Sequence, residues 1–277
     1  MKFCLTFHND IFKRYPDFDE VIIKYFEKDL TIFDFVSKED ILNKRLILNI
    51  VDYKLNEEDF SDLAAILKKL QAINPKISIL LSIKQYDFSQ VLKENGIPFF
   101  FYKVAETWDE LRSLTKEEIS DVYIGSELGF RIAEVADFCH KLDIKVRVFA
   151  NVAQTSAPLK NMTDISSFFI RPEDLAKYEE YVDTVEFFGP LDRQGVLLKI
   201  YKRGSWEGSL SDIIVGYKNK IANHTIAPQF GNIRLKCQKK CCQNKCNMCF
   251  KIEEIAEKVD NLGFRFKENK HNEKNER

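Results

Sequence analysis

The sequence lacks long apolar runs and a strong excess of either charge. No stretch of its 277 residues approaches the roughly 18 consecutive apolar residues of a membrane span, so we expect no such span. Acidic and basic residues nearly cancel, at 43 and 42, which gives a formal net charge of −1. Proteins that bind nucleic acid over their whole surface are usually basic. Electrostatic binding of nucleic acid over the whole surface is therefore not indicated, and a local basic patch is still compatible with this composition.

Secretion and protease signals are also absent. The N-terminal MKFCLTFHND becomes polar by His8, too early for the apolar region of a signal peptide. There is no HExxH motif, and no Ser/His or Cys/His arrangement stands out. We therefore expect a cytoplasmic protein, in which thiols stay reduced. Seven cysteines in such a compartment point to metal binding or redox chemistry ahead of disulfides.

Eight short apolar or aromatic runs predict β-strands. They are residues 2–7, 45–51, 77–83, 98–104, 121–125, 145–150, 167–170 and 184–188. Helical spacing recurs between them, in 59–73, 88–94, 128–142 and 174–181. This alternation predicts an α/β protein with a (β/α)8 TIM barrel. An open doubly wound sheet is the alternative, but it favours a Gly-rich first βα turn, where this chain has His8, Asn9 and Asp10.

The pattern changes after the eighth predicted strand. We assign residues 1–190 to the barrel and 191–264 to a C-terminal extension packed on it. Within the extension, 196–201 predicts a further strand and 252–262 an amphipathic helix. Residues 265–277 form a charged tail that we expect to be disordered.

The strongest chemical signal is a segment of five cysteines, CQKKCCQNKCNMC. It comprises Cys237, Cys241, Cys242, Cys246 and Cys249. Four thiolates on one short loop can hold a tetrahedral Zn²⁺ or a 4Fe–4S cluster, and the interleaved lysines favour the thiolate form. The segment therefore predicts a metal site, with its metal and its four ligands left open. Disulfides and chance clustering are the alternatives, and the odd count weighs against disulfides.

Polar residues follow most of the predicted strands, where the active sites of this fold lie. Glu186 lies inside the apolar run VEFFG, where a carboxylate needs a polar partner or has a functional role. Arg171 follows FFI and could clamp an anion. With Glu127 they are the catalytic candidates, and an ion pair between Arg171 and Glu186 is the structural alternative. The substrate-binding candidates are His8, Asn9, Asp52, Lys84, Lys103, Asn151 and Gln154.

The stretch DVYIGSELGFRIAEVADFCHKLDIKVRVFANV, followed by VEFFG, resembles the collagenase-like peptidase family. The similarity covers about residues 121–190, and 186–189 match part of the family's Glu-x-Phe-x-x-Gly segment. The resemblance implies a barrel protein, in some members with an iron–sulfur cluster that supports hydroxylation of RNA bases or of a quinone ring.

Three functions are compatible with these features. The first is an enzyme that binds a small molecule or an RNA nucleoside at the barrel mouth and carries a 4Fe–4S cluster on the cysteine segment. The second is a zinc-stapled protein that binds or modifies nucleic acid, because the segment is basic and Phe250 could stack on a base. The third is a non-catalytic barrel that binds a protein partner.

Overall fold

The fold is a closed barrel of eight parallel strands, paired in chain order and joined between the first and the last. The structure is a computed structural model, and it describes residues 1–6, 18–25, 45–50, 57–73, 75–82, 86–116, 119–153, 168–235, 237 and 248–259. The strands are β1 (Lys2–Thr6), β2 (Glu20–Tyr25), β3 (Arg45–Ile50), β4 (Ile77–Ser82), β5 (Phe99–Ala105), β6 (Asp121–Ile124), β7 (Lys145–Phe149) and β8 (Thr184–Glu186). The predicted (β/α)8 barrel is confirmed.

Helices lie between and after the strands. Those described are α1 (Glu57–Ile73), α2 (Tyr86–Glu94), α3 (Trp108–Ser113), α4 (Ser126–Gly129), α5 (Ile132–His140), α6 (Leu191–Arg203), α7 (Phe230–Leu235) and α8 (248–259). None of the described helices is long and apolar enough to cross a membrane. Helix α3 begins with a capping box, in which Thr107 Oγ1 accepts from Glu110 N and the Glu110 carboxylate accepts from Thr107 N. Helix α6 ends at Gly204, whose φ of 69° suits a residue without Cβ.

Two of the predicted strands are wrong and one strand was missed. Strand β2, with sequence EVIIKY, was not predicted. Residues 168–170 are buried but form no barrel strand, because Phe169 packs against Tyr217 and Phe230 of the C-terminal region. Residues 196–201 belong to helix α6. The predicted number of barrel strands, eight, is nevertheless correct. Two errors cancel in it, because segment 167–170 was counted as a strand and β2 was not.

Side chains along each strand alternate between the two faces of the barrel wall. Outward residues such as Leu46, Val122 and Val148 join the helices in the main apolar core. Inward residues fill the barrel itself, as in other barrels of this type. A separate apolar cluster there comprises Cys4, Ile22, Ile47, Leu80 and Phe100. The strands β6, β7 and β8 place charged residues in the same interior space.

The C-terminal region packs directly on the barrel wall. Helix α6 contacts β1 and the 3-10 helix Pro172–Tyr178. Val215 forms a parallel bridge with Val152, just after β7. Helix α8 buries Ile252 and Ala256, in agreement with the predicted amphipathic helix up to residue 259. The division into 1–190, 191–264 and 265–277 stays a prediction, and 260–277 lies outside the described residues.

Candidate active site at the barrel mouth

An arginine with three carboxylate partners occupies the interior of the barrel. Arg147 of β7 is fully buried, with 0 % of its side chain exposed. Its guanidinium donates to Asp121 Oδ1 at 2.6 Å, to Glu20 Oε2 at 2.8 Å and to Glu186 Oε1 at 3.2 Å. The planar guanidinium has five N–H donors, so one arginine can satisfy three acceptors. This ion cluster joins β2, β6, β7 and β8.

A second arginine supports the cluster at the amino ends of the strands. Arg45, the first residue of β3, donates to Glu20 Oε1 at 2.8 Å. Burial disfavours ionisation of Glu20, but Arg147 and Arg45 outweigh it, so the pKa of Glu20 lies below its ordinary value. Both guanidinium groups also lie over the Phe100 ring, at 4.7 Å for Arg45 and 5.8 Å for Arg147. Glu20 is thus held as a paired carboxylate.

Glu186 is the member of the cluster nearest the carboxyl end of the barrel, because it is the last residue of β8. Its Oε1 accepts a hydrogen bond from the Tyr123 hydroxyl at 2.5 Å as well as the one from Arg147. Burial raises the pKa of Glu186, and Arg147 and Tyr123 offset only part of that effect. A carboxyl group with a raised pKa beside a phenol is suited to proton transfer.

Aromatic side chains surround Glu186 on its mouth side. Tyr123 stacks with Phe149 at 5.6 Å and meets Tyr102 edge-on at 5.5 Å. Phe149 in turn meets Phe188 edge-on at 6.1 Å. Phe188 is 51 % exposed and Val104, on the same face of β5 as Tyr102, is 53 % exposed. These side chains form an aromatic, partly exposed surface next to the ion cluster, and we call it the aromatic mouth.

Asn151 fixes the position of Phe188 in this mouth. Its Nδ2 donates to Phe188 O and its Oδ1 accepts from Phe188 N, both at 2.8 Å. Gly189 follows with a φ of 126°, a conformation that side chains with Cβ rarely adopt. Asn151 was predicted to bind substrate, but its amide is fully buried and both of its ends are used by the backbone. We correct its role to positioning of Phe188.

The other two catalytic candidates have no described contact with Glu186, and the expectation that Glu127, Arg171 and Glu186 share one mouth stays a prediction. Arg171 donates to Asp174 at 2.7 Å and lies over the Phe230 ring at 5.1 Å. It is buried beneath the C-terminal region. The alternative of an Arg171–Glu186 ion pair is wrong, because each residue has its own partner.

Glu127 lies on α4, in a separate surface cleft of about 610 Å³. The cleft lies between α3 and α5, and Arg131 covers the Trp108 ring there at 4.7 Å. Glu127 is exposed, and its catalytic role at the barrel mouth stays a prediction.

Lys103 was predicted to line the mouth and does not. It faces outward from β5, and its Nζ donates to Ser113 Oγ of helix α3 at 2.9 Å. The alternation of the strand explains this, because Tyr102 and Val104 take the inward positions. The remaining substrate-binding candidates, His8, Asn9, Asp52, Lys84 and Gln154, lie outside the described residues.

The cysteine segment is described only at its two ends. Cys237 N donates to Arg234 O at 3.0 Å, and Cys249 packs against the main core. Arg234 is buried among aromatic rings and donates to Phe169 O at 2.8 Å. Cys241, Cys242 and Cys246 lie outside the described residues. Within the part of the chain that is described, no three His, Cys, Asp or Glu side chains are placed to hold a metal ion.

Sequence reasoning missed most of the interior cluster. Glu20 was missed together with β2. Arg147 and Tyr123 lie in predicted strands, KVRVF and DVYIG. Arg147 alternates with the buried Val146 and Val148, and Tyr123 with the buried Val122 and Ile124. A charged residue at the centre of an apolar strand was the available signal, because such a group needs a partner. The partners themselves could not be named without the register of the barrel.

Comparison with known proteins adds little to this geometry. No family model matches the sequence, and no curated protein matches it. Similar solved structures include the 3-dehydroquinate dehydratase of Aquifex aeolicus VF5, with 12% identity over 73% of this chain and 98% of that one and a TM-score of 0.44. An aldo-keto reductase from Bacillus halodurans has 12% identity over 83% and 86%, with a TM-score of 0.46. With TM-scores below 0.5, these similarities say nothing about what this chain binds.

Proposed function

We propose that this chain is a barrel enzyme that binds a planar ring, such as an RNA nucleobase or a quinone-type ring, at the aromatic mouth. The observation that carries the proposal is the position of Glu186, hydrogen-bonded to Tyr123 beneath Phe149 and Phe188. Aromatic side chains hold planar rings by stacking and edge-on contacts. In this proposal Tyr123 and Glu186 form an acid/base pair, and Arg147 positions both for the reaction.

We further propose that the cysteine segment holds a 4Fe–4S cluster, with Zn²⁺ as the alternative. Five thiols between 237 and 249 supply enough ligands for either. The first and last cysteines of the segment support this, because Cys237 and Cys249 both lie beside Arg234 of helix α7. An iron–sulfur cluster would supply electron transfer for hydroxylation or related redox chemistry. The likeness to the collagenase-like peptidase family points the same way.

Binding of rings tests the first part of the proposal. We expect nucleosides or quinone-type compounds to bind the wild-type protein in isothermal titration calorimetry. Phe188→Ala should weaken binding about fivefold or more, because a stacked ring contributes about 1 kcal/mol or more. Phe250→Ala is the matched control, since Phe250 is 57 % exposed but lies on α8, outside the mouth. Equal affinities of the two variants would contradict the assignment of the mouth.

A zinc-stapled nucleic-acid protein is the second candidate. The cysteine segment is rich in lysine, and the neighbouring Phe250 is exposed and available to stack. A protein-binding role would instead use the exposed Met248, Ile255 and Val259 of α8. Anaerobic purification separates these functions: a brown protein with iron supports the enzyme, and a colourless protein with stoichiometric zinc supports the nucleic-acid binder.

A further inference from the structure

The hydrogen bonds of Glu186 use only one of its two carboxyl oxygens. Tyr123 and Arg147 both donate to Oε1, at 2.5 and 3.2 Å. No described residue donates to Oε2. The Glu186 side chain keeps 9 % of its surface exposed, whereas that of Arg147 keeps none. Among the described residues, Oε2 thus has no donor, and the Glu186 side chain is not completely enclosed.

The interior cluster has more acids than buried cations. Glu20, Asp121 and Glu186 face the guanidinium groups of Arg147 and Arg45. Lys2 reaches Glu20 only at 3.5 Å and is half exposed, so solvent screens its charge. Ionised groups inside a protein need close partners. One of the three carboxyl groups is therefore better accommodated with a proton.

The distances select Glu186 as that group. Arg147 lies 2.6 Å from Asp121 and 2.8 Å from Glu20, but 3.2 Å from Glu186. Glu20 also has Arg45 as a partner. Glu186 has the longest ion contact and otherwise only the neutral phenol of Tyr123. It is the least compensated carboxyl group of the cluster.

Building on the proposed function, we infer that Glu186 rests as a neutral carboxylic acid and donates its Oε2 hydrogen to an oxygen of the bound ring. The mouth then takes planar rings that carry a carbonyl or another acceptor oxygen. Tyr123 donates to Oε1, which strengthens the acid as a donor, since linked hydrogen bonds polarise one another. A ring without an acceptor oxygen loses this contact and is held by the aromatic side chains alone.

The surrounding titratable groups agree with this assignment. Glu186 is faced by Cys4 from β1, Glu20 from β2, Tyr123 and Asp121 from β6, and Arg147 from β7. Burial raises the pKa of the Cys4 thiol and of the Tyr123 phenol well above their ordinary values, so both stay neutral. Burial also raises the pKa of Glu186. Glu186 is thus the group of this set expected to lose its proton as the pH rises through its raised pKa.

The test uses indanone and indane, two rings that differ by one carbonyl oxygen. In mildly acidic buffer the wild-type protein should bind indanone about tenfold more tightly than indane, the value of one good hydrogen bond. The preference should fall as the pH rises through the raised pKa of Glu186, because the ionised form repels the carbonyl oxygen. Glu186→Met should abolish the preference. Glu186→Gln should keep it at every pH, because its amide donates and does not titrate.

The results separate this inference from the proposed function. Equal binding of both rings by the wild-type protein overturns the inference and leaves ring binding intact. A preference that grows with pH overturns it as well, because the neutral acid would then not be the group that binds the carbonyl oxygen. Failure of both rings to bind contradicts the inference and the proposed function together. An infrared band of a protonated carboxyl group that disappears in Glu186→Gln is also required, and its absence refutes the resting state.

Discussion

Replacement of Arg147 by methionine should destabilise the barrel more than any surface change. The substitution keeps the length of the side chain but leaves Glu20, Asp121 and Glu186 without their shared cation. Breaking a buried ion pair by removing one partner costs about 3–5 kcal/mol. For a chain of this size 1 kcal/mol corresponds to a shift of about 2–4 °C in melting temperature. We therefore expect a loss of at least about 6 °C at neutral pH.

The pH dependence of the loss identifies its cause. In the wild-type protein the pKa of Glu20 is lowered, so its stabilising contribution is present above the ordinary carboxyl pKa and is lost as the pH falls through the lowered value. In Arg147→Met the carboxyl groups lack their cation, and protonation relieves them. The difference between wild type and variant should therefore be largest at neutral pH and should shrink in acid.

Thermal melts followed by circular dichroism over a range of pH measure both effects. Arg112→Met is the matched control, because Arg112 is 69 % exposed and contacts Asp109 only at 3.5 Å. Exposed pairs of this kind contribute about 0–1 kcal/mol, so the control should melt within a few degrees of the wild type. Similar melting temperatures for Arg147→Met and Arg112→Met would refute the ion cluster as an organising element. A loss that is independent of pH would assign it to packing alone.

Two further predictions concern the mouth and the cysteine segment. Asn151→Leu should lower the free energy of unfolding by about 1–3 kcal/mol and weaken ring binding, because Phe188 N and O lose their partners. The control is Asn95→Leu, which removes one hydrogen bond to Val91 O far from the mouth. Calorimetry should show an unchanged ring affinity for this control. Cys246→Ala should lower the metal content and loosen the segment while the barrel keeps its melting temperature, because thiolate ligands stabilise mainly their own loop. Elemental analysis checks this against Cys139→Ala, a buried position in α5 that should leave metal content unchanged.

The alternation of apolar strands and amphipathic helices was enough to predict the barrel. The failure at 167–170 shows the limit of that reasoning. FFI reads as a strand buried on both faces, but Phe169 is buried by Tyr217 and Phe230, which follow much later in the chain. A continuous apolar run predicts that a segment is buried, but it does not show which part of the chain covers that segment.

The ion pair between Arg171 and Glu186 was wrong for a related reason. Glu186 was identified because a carboxylate in VEFFG needs a partner, yet Arg147 and not Arg171 provides it. Arg171 follows a segment that was taken for the strand beside β8, and β7 is the true neighbour. Lys103 was assigned to the mouth from its place near the end of β5, without regard to the two faces of the strand. The position of a residue in its strand shows at which end of the barrel it lies. The register of the strands and the alternation of their side chains decide which residues face the interior.

The pairing of β1 with β8 has a consequence for how the chain folds. Lys2 pairs with Thr184, so the barrel closes only when residues about two-thirds of the chain apart have met. Contacts of such long sequence separation form slowly, and β1 keeps an unpaired edge until β8 arrives. During synthesis at about 5–20 residues per second, that edge stays open for roughly ten seconds or more. Glu20 and Arg147 are also far apart in sequence, by 127 residues, so both the closure of the barrel wall and the neutralisation of its interior depend on contacts that form late in synthesis.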